Sequence, residues 1–265
     1  MKIVATMGSP KGKGSGYRIV RMIEDRMKAI GDVEFAYLFI KDANLKPCRD
    51  CYTCMAKGED QCPLKDDRAK IEEELLAADG VILSSPVHVA NVSGLMKNFM
   101  DRFAYTNHRP RFHRQKVLAV VNMAGTSRKE ALSALHYLLG GSQMVHTLAI
   151  ETPPWLQTER AVAAKERAID VAARKFYQAC LDTSLPSPTF RRYVGFLGLQ
   201  RLALECRQSL PADHTFYDGQ AYYFETRINP IKAAVAQALV RVWMNMWIRD
   251  MGPGTVPWPA AKKEE

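Results

Sequence analysis

The chain has 265 residues, 47% of them hydrophobic and 25% charged, with a formal net charge of +9. That length allows one large domain or one domain with an appendage, and the apolar share supports a sizeable core. No run of about eighteen uncharged apolar residues excludes a membrane-spanning helix, and the short apolar run after Lys2 excludes a signal peptide, so a cytoplasmic protein is expected.

Lys2–Met7 is apolar and β-branched and predicts a strand. Gly8–Gly16 reads Gly-Ser-Pro-Lys-Gly-Lys-Gly-Ser-Gly, and helical spacing begins near Tyr17. Ile19, Val20, Ile23, Met27 and Ile30 carry that helix, which Gly31-Asp32 stops. Val33–Ile40 is a strand candidate, and Asp42–Lys65 is irregular. Asp66-Asp67 predicts the cap of a helix through Ile71, Leu75 and Leu76. Val81–Pro86, Lys116–Met123 and Met144–Ile150 are continuous apolar strands. Helices are predicted over Ser93–Tyr105, Arg128–Leu139 and Thr158–Leu181. This β-α alternation, with strands apolar on both sides, predicts an α/β fold: a five-stranded parallel sheet with helices on both faces. Such a sheet binds ligands at the carboxyl ends of its strands, where Ser9–Gly16, Ser84–Gly94 and Met123–Ser127 should converge.

The pattern breaks after Leu181. Ser184–Pro188 reads as a linker, Phe190–Gln208 as a helix and Pro211–Arg227 as an aromatic-rich stretch. Pro230–Arg249 predicts a helix with Lys232, Gln237, Arg241, Asn245 and Arg249 near one stripe and apolar residues elsewhere. Gly252-Pro-Gly and Lys262–Glu265 look like a frayed tail. We therefore expect one domain over residues 1–183 and a helical C-terminal extension over 184–265, an oligomer interface or a lid.

A strand, a glycine-rich turn and a helix start form a phosphate-binding arrangement. Ser9 and Ser15 add hydroxyls, and Lys11 and Lys13 add positive charge. The loop follows neither the Walker nor the Gly-x-Gly-x-x-Gly register, and a flexible basic turn is its alternative reading. The remaining basic residues are scattered, with clusters at Arg109–Arg114 and Arg191/Arg192 read as solvated faces. Solvated charge plus an anionic cofactor accounts for the excess better than nucleic acid does. Lys97 and Asp101 stand i, i+4 on a helix as a structural pair, and Asp101 with Arg102 should fix subunit or loop geometry.

Cys48, Cys51, Cys54 and Cys62 read Cys-x2-Cys-x2-Cys-x7-Cys, with Pro63 after the last. Three readings remain open: an iron-sulfur cluster, thiols without metal, and structural zinc, which more often pairs two separated Cys-x2-Cys knuckles. Cys180 and Cys206 read as ordinary buried cysteines.

With these segments in view, the chain resembles the flavodoxin-like NAD(P)H-dependent FMN reductases, and within them the iron-sulfur flavoproteins. Gly8–Gly16 resembles the family's phosphate loop, Cys48–Cys62 its compact cysteine motif followed by Asp66-Asp67, and Ser84–Arg102 its flavin-ring loop and helix. The last is the most specific, through Pro86, Ser93-Gly94, Met96-Lys97 and Asp101-Arg102. The resemblance covers roughly the first 180 residues. It implies a flavodoxin-like fold and FMN, with the phosphate at Ser9, Lys11, Lys13, Gly14, Ser15 and Gly16. Pro86, Val87, His88 and Asn91 would wall the ring, and backbone N–H groups of Ala124, Gly125 and Thr126 would face its N1/O2 edge. Read from the residues alone, His88 is a surface loop histidine and Gly125 an ordinary turn. The resemblance also implies a 4Fe-4S cluster on the four clustered cysteines. Hydride would come from NAD(P)H, and electrons would pass to a quinone, another flavin, a small electrophile or the cluster, with no acid–base residue required. The alternative is an electron carrier fed by a ferredoxin. A homo-oligomer without nucleic acid is expected. Two positions depart from the family: Ser15-Gly16 stands where Asn then Thr or Ser is usual, and His88 stands where Tyr is usual.

Overall fold

In this computed structural model, which describes residues 1–125 and 127–248, apolar strands alternate with amphipathic helices. The expectations for Thr126, Arg249 and the tail from Gly252 lie outside the described residues. Strands β1 (Lys2–Met7), β2 (Glu34–Phe39), β3 (Gly80–His88), β5 (Lys116–Met123) and β6 (Gln143–Glu151) pair in parallel in the order β2-β1-β3-β5-β6. A sixth strand, β4 (Asn91–Val92), pairs antiparallel with the end of β3.

The helices are α1 (Ser15–Lys28), α2 (Thr53–Ala56), α3 (Arg68–Leu76), α4 (Gly94–Arg102), α5 (Arg128–His136) and α6 (Glu159–Leu181), followed by α7 (Phe190–Glu205), α8 (Pro211–Tyr217) and α9 (Pro230–Ile248). Successive strand residues point to opposite faces. Ile3, Ala5 and Met7 therefore pack with Ile82, Leu118 and Val120 under α1 and α6. Val4, Val81, Leu83, Val117 and Val121 pack on the other face with residues of α3, α4 and α5. Both faces of the sheet are covered, which is why its central strands carry no polar alternation.

Two boundaries and one cap differ from the spacing. The α5 helix ends at His136, and Leu139 takes a left-handed φ of 61°. The α4 helix ends at Arg102 and passes into a 3-10 turn at Ala104–Asn107. Asp67 stands at the N-cap of α3 but makes no side-chain capping bond. Its carboxylate instead accepts from Asn44 N at 3.1 Å, holding the start of the preceding loop.

The chain forms two compact units, Met1–Pro186 and one beginning at Ser187. In the second, Tyr193, Phe196, Tyr217, Tyr222 and Ala236 form a small aromatic core. The α9 helix lies on α7 and buries Ala236, Val240 and Met244. Ile231, Val235, Val242 and Met246 of α9 are exposed and form an apolar stripe that is uncovered among the described residues. Among the described residues no helix is long and apolar enough to cross a membrane.

Candidate functional site

The strand order reverses between β1 and β3: the chain steps from β1 to one side and returns to the other. A crevice opens at the carboxyl ends of strands at such a point. Gly8, leaving β1, donates its N–H to Ser84 O of β3 at 2.8 Å. Ser93, the N-cap of α4, donates its hydroxyl to Gly8 O and accepts from Met96 N at 3.2 Å. Ser85 Oγ accepts from Ser93 N at 3.0 Å. The Gly8–Gly16 and Ser84–Gly94 loops are thus bonded to each other. In the β3–β5 register Pro86 faces Asn122, so Ala124 and Gly125 emerge beside the same strand ends, both exposed.

Within the first loop, Gly12 takes φ of 65°, a left-handed value that favours glycine. Its N–H bonds Ser9 O at 3.1 Å, and Gly14 N bonds Gly12 O at 2.8 Å, closing a compact turn. Gly14 is the N-cap of α1 and contributes no capping side chain. The N–H groups of the first turn of α1 therefore face the loop instead of a capping oxygen. Lys11 and Lys13 are exposed, and Lys13 Nζ lies 5.9 Å from the centre of the Tyr17 ring. Ser15 Oγ accepts from Arg18 Nη2 at 3.3 Å.

Gly16 is buried, and a Cβ there would lie 2.9 Å from Asn122 Oδ1 and 3.1 Å from Ser84 Oγ. Only glycine lets α1 come this close to the sheet, which accounts physically for Gly16 at a position where the resemblance led us to expect Thr or Ser. Ser84 and Asn122, polar residues at apolar strand ends, were not singled out from sequence. Their signal was present in the polar interruption of each apolar run.

The second loop forms a tight hairpin. His88 pairs with Asn91 and Val87 with Val92. Val89 and Ala90 make the turn at φ of 48° and 60°, and Val89 is fully exposed. Two successive left-handed residues suit the twist of a hairpin, but a β-branched residue adopts that conformation at a cost. Pro86 and Val87 are half-buried, whereas His88 and Asn91 are exposed at the hairpin end.

The cysteine loop leaves the carboxyl end of β2. Its four thiols are free, with Cys48 and Cys51 exposed and Cys54 and Cys62 half-buried. Asp50 and Tyr52, on either side of Cys51, take left-handed φ values of 52° and 54° and turn the chain back on itself. The Cys54 thiol is pushed up by burial and then by the nearby Cys62, Cys48 and Cys51 sulfurs. The Cys51 thiol is pulled down by hydrogen bonding from Thr53. Among the described residues no group of three or more His, Cys, Asp or Glu stands in an arrangement that could hold a metal ion.

Side chains from α4 onward fasten this loop. Asn98 Oδ1 accepts from Cys48 N at 3.0 Å, and Asn98 Nδ2 donates to Leu45 O at 3.3 Å. Arg102 pairs with Asp66, donates to Lys46 O at 2.8 Å and reaches Cys62 Sγ at 3.8 Å. Burial alone would raise the Asp66 carboxyl, but Arg102 and the N–H groups of Lys46 and Arg68 hold it below the usual range. Arg109 donates to Cys54 O, to Met55 O at 3.2 Å and to Glu59 Oε2 at 3.0 Å. The expectation of a solvated face at Arg109–Arg114 is therefore corrected at Arg109, which is buried beneath the loop. A guanidinium is satisfied there because it faces backbone carbonyls and a carboxylate. Lys97 and Asp101 form the i, i+4 pair expected of them.

Residues 1–156 match the family described as NADPH-dependent FMN reductase. An iron-sulfur flavoprotein of Archaeoglobus fulgidus is 30% identical over 157 residues, 58% of this chain and 75% of that protein. One of Methanocaldococcus jannaschii is 36% identical over 104 residues, 38% of this chain and 51% of that protein. An FMN-dependent NADH-azoreductase of Bacillus anthracis, solved with FMN, superposes with a TM-score of 0.51 at 12% identity, covering 66% of this chain and 99% of that one, which shows a shared fold. From the family match over residues 1–156 and its similarity to these flavoproteins, the chain belongs to the NADPH-dependent FMN reductase family, in the branch of the iron-sulfur flavoproteins.

Proposed function

We propose that this protein is an FMN-dependent oxidoreductase that takes hydride from NAD(P)H and delivers electrons to a small acceptor or to an iron-sulfur cluster of its own. The observation that carries the reading is the uncapped start of α1, facing a glycine loop that is bonded to the end of β3 at the sheet's switch point. That cradle suits a phosphate: the close approach at Gly16 leaves no side chain over the sheet, and the N–H groups and helix dipole favour an anion. Ser9, Lys11, Lys13, Gly14, Ser15 and Gly16 would hold the phosphate. Pro86, Val87, His88 and Asn91 would wall the ring, and the backbone of Ala124, Gly125 and Thr126 would face its edge. FMN, when bound, supplies a ring that accepts a hydride and releases electrons singly or in pairs. The chain's own part is to bind, orient and shield that ring, so no proton-transferring side chain is required.

Cys48, Cys51, Cys54 and Cys62 are the residues that would hold an iron-sulfur cluster, because thiolates are the ligands such clusters take. All four are unpaired thiols on one short loop, though they do not stand in a metal-holding arrangement among the described residues. The similarity to iron-sulfur flavoproteins supports the same reading. The exposure of Cys48 and Cys51 favours a second reading, an electron carrier that receives electrons from a ferredoxin at this loop. Steady-state NADPH oxidation by the FMN-loaded protein separates the two. The exposed α9 stripe is the proposed subunit interface.

Two measurements test the assignment. Lys11→Ala with Lys13→Ala should weaken FMN binding ~10-fold or more while riboflavin is almost unaffected, because only FMN carries the phosphate. Equal loss for both ligands overturns the phosphate role. Anaerobically reconstituted protein should contain about four irons and four acid-labile sulfides per chain, and Cys51→Ala should lose both while FMN still binds. FMN-loaded protein that takes up neither iron nor sulfide is a flavin reductase without a cluster.

A further inference from the structure

Close to the carboxyl end of the sheet, buried hydroxyls have partners. Thr6 Oγ1 donates to Ile82 O at 3.0 Å, and Ser85 Oγ accepts from Ser93 N and donates to Pro86 O at 2.9 Å. Two side chains differ. Ser84 of β3, only 2% exposed, and Asn122 of β5, half-buried, make no side-chain hydrogen bond to another described residue. Nor are their polar atoms sealed in the interior. They reach one spot beneath the start of α1: a Cβ on Gly16 would stand 2.9 Å from Asn122 Oδ1 and 3.1 Å from Ser84 Oγ. An amide offers two donors and an acceptor, and a hydroxyl donates and accepts. A polar group left unmatched at the end of an apolar strand destabilises the fold, and a ligand that bonds it removes that cost.

The register says which part of a ligand they would meet. Ser84 lies abreast of Met7, from which the glycine loop leaves, and Asn122 abreast of Pro86. The pair therefore stands between the loop assigned to the phosphate and the residues assigned to the ring. In FMN those two ends are joined by a chain of hydroxyl groups, each able to donate and accept. We propose that Asn122 and Ser84 form the subsite for the ribityl hydroxyls of the flavin, Asn122 through its amide and Ser84 through its hydroxyl. This rests on the FMN reading given above. Gly16 belongs to the arrangement, because a side chain there would take the space in which the two polar groups meet a ligand.

The test is equilibrium titration of the full chain with FMN, riboflavin and lumiflavin, joined to the thermal midpoint of the ligand-free protein. These ligands carry the ring with chain and phosphate, with the chain alone, and with neither. Asn122→Leu removes the amide at similar volume. It should weaken FMN and riboflavin alike by about 10-fold and leave lumiflavin unchanged. Ser84→Ala should weaken the same ligands about 3-fold. Neither side chain has a partner to lose within the protein, so the ligand-free midpoint should hold or rise in both variants, whereas a merely structural role would lower it. Loss confined to FMN assigns the pair to the phosphate and overturns the proposal, as does equal loss for all the ligands or no loss for any. If Asn122→Leu fails to fold, Ser84→Ala decides by the same comparison. Wild-type protein that binds no flavin removes the FMN reading and this subsite together. Wild-type protein that binds FMN and riboflavin, with unmoved variant affinities, removes the subsite alone.

Discussion

At the scale of single residues, the six cysteines differ by environment more than by sequence context. Cys51 is exposed and its thiol is pulled down by hydrogen bonding from Thr53. Cys54 is pushed up by burial and by the neighbouring sulfurs. Cys180, on the buried face of α6, is pushed up to about 12 by burial and then by Asp79. Only the thiolate attacks an alkylating reagent. Iodoacetamide applied to the metal-free folded protein should therefore label Cys51 first, Cys54 more slowly and Cys180 last, as read by peptide mass spectrometry over time. Labelling of Cys54 ahead of Cys51 would contradict the environments described here. The same contrast appears among the arginines: the run Arg109–Arg114 reads as surface charge, yet Arg109 is buried because carbonyls of the distant cysteine loop need its donors.

At the scale of an element, α1 must present its start to the site while its remaining turns grip the sheet. Ile19, Val20, Ile23 and Met27 provide the grip. Glu24 shares that buried face, with only 3% exposure, and accepts from Lys28 at 2.7 Å and from Tyr37 of β2 at 2.5 Å. Burial would raise the Glu24 carboxyl, but the hydrogen bonds from Lys28 and Tyr37 and the charge of Arg21 together hold it below the usual range. A carboxyl depressed in the folded state contributes its full stability above its unfolded value of about 4.3 and loses it as pH falls through the lower folded value. Glu24→Gln should therefore cost about 2 kcal/mol at neutral pH. The gap between wild type and variant in urea midpoint should narrow as pH falls below about 4. A gap that stays constant from neutral to acid pH would show that the charge of Glu24 is not what ties α1 to β2.

At the scale of the whole molecule, the catalytic fold and the C-terminal helices are separate compact units with separate cores. The second unit is small, and α9 supplies Ala236, Val240 and Met244 to its interior while Ile231, Val235, Val242 and Met246 face outward. A helix with two apolar stripes is stabilised by covering both. Removing residues 229–265 should yield a monomer or insoluble protein by light scattering, since it strips both the inner packing on α7 and the proposed interface. A truncated protein that keeps the oligomeric state of the full chain would remove the interface role.

Local spacing determined much of this architecture by itself. The alternation of continuous apolar runs with helical periods, punctuated by Gly31, Gly80 and the Pro-rich linker after Leu181, specified parallel strands covered by helices, because period and breaker residues are properties of neighbours in sequence. The clustering of Cys48, Cys51, Cys54 and Cys62, and the glycine loop before α1, were legible for the same reason. What neighbours could not specify was decided by tertiary contact. The order β2-β1-β3-β5-β6, and with it the crevice at Gly8 and Ser84, depends on pairings between residues as far apart as Thr6 and Leu83. The β3–β4 hairpin carries Val89 and Ala90 instead of the Asn-Gly that would announce it, so its turn is imposed by the strands it joins. Asp67 reads as a cap but bonds Asn44, and Arg102 reads as a helix-end cation but meets Cys62. Arg102 is buried and takes the partners that folding brings to it, because leaving it unpaired in a low-dielectric interior costs more than departing from its local preference.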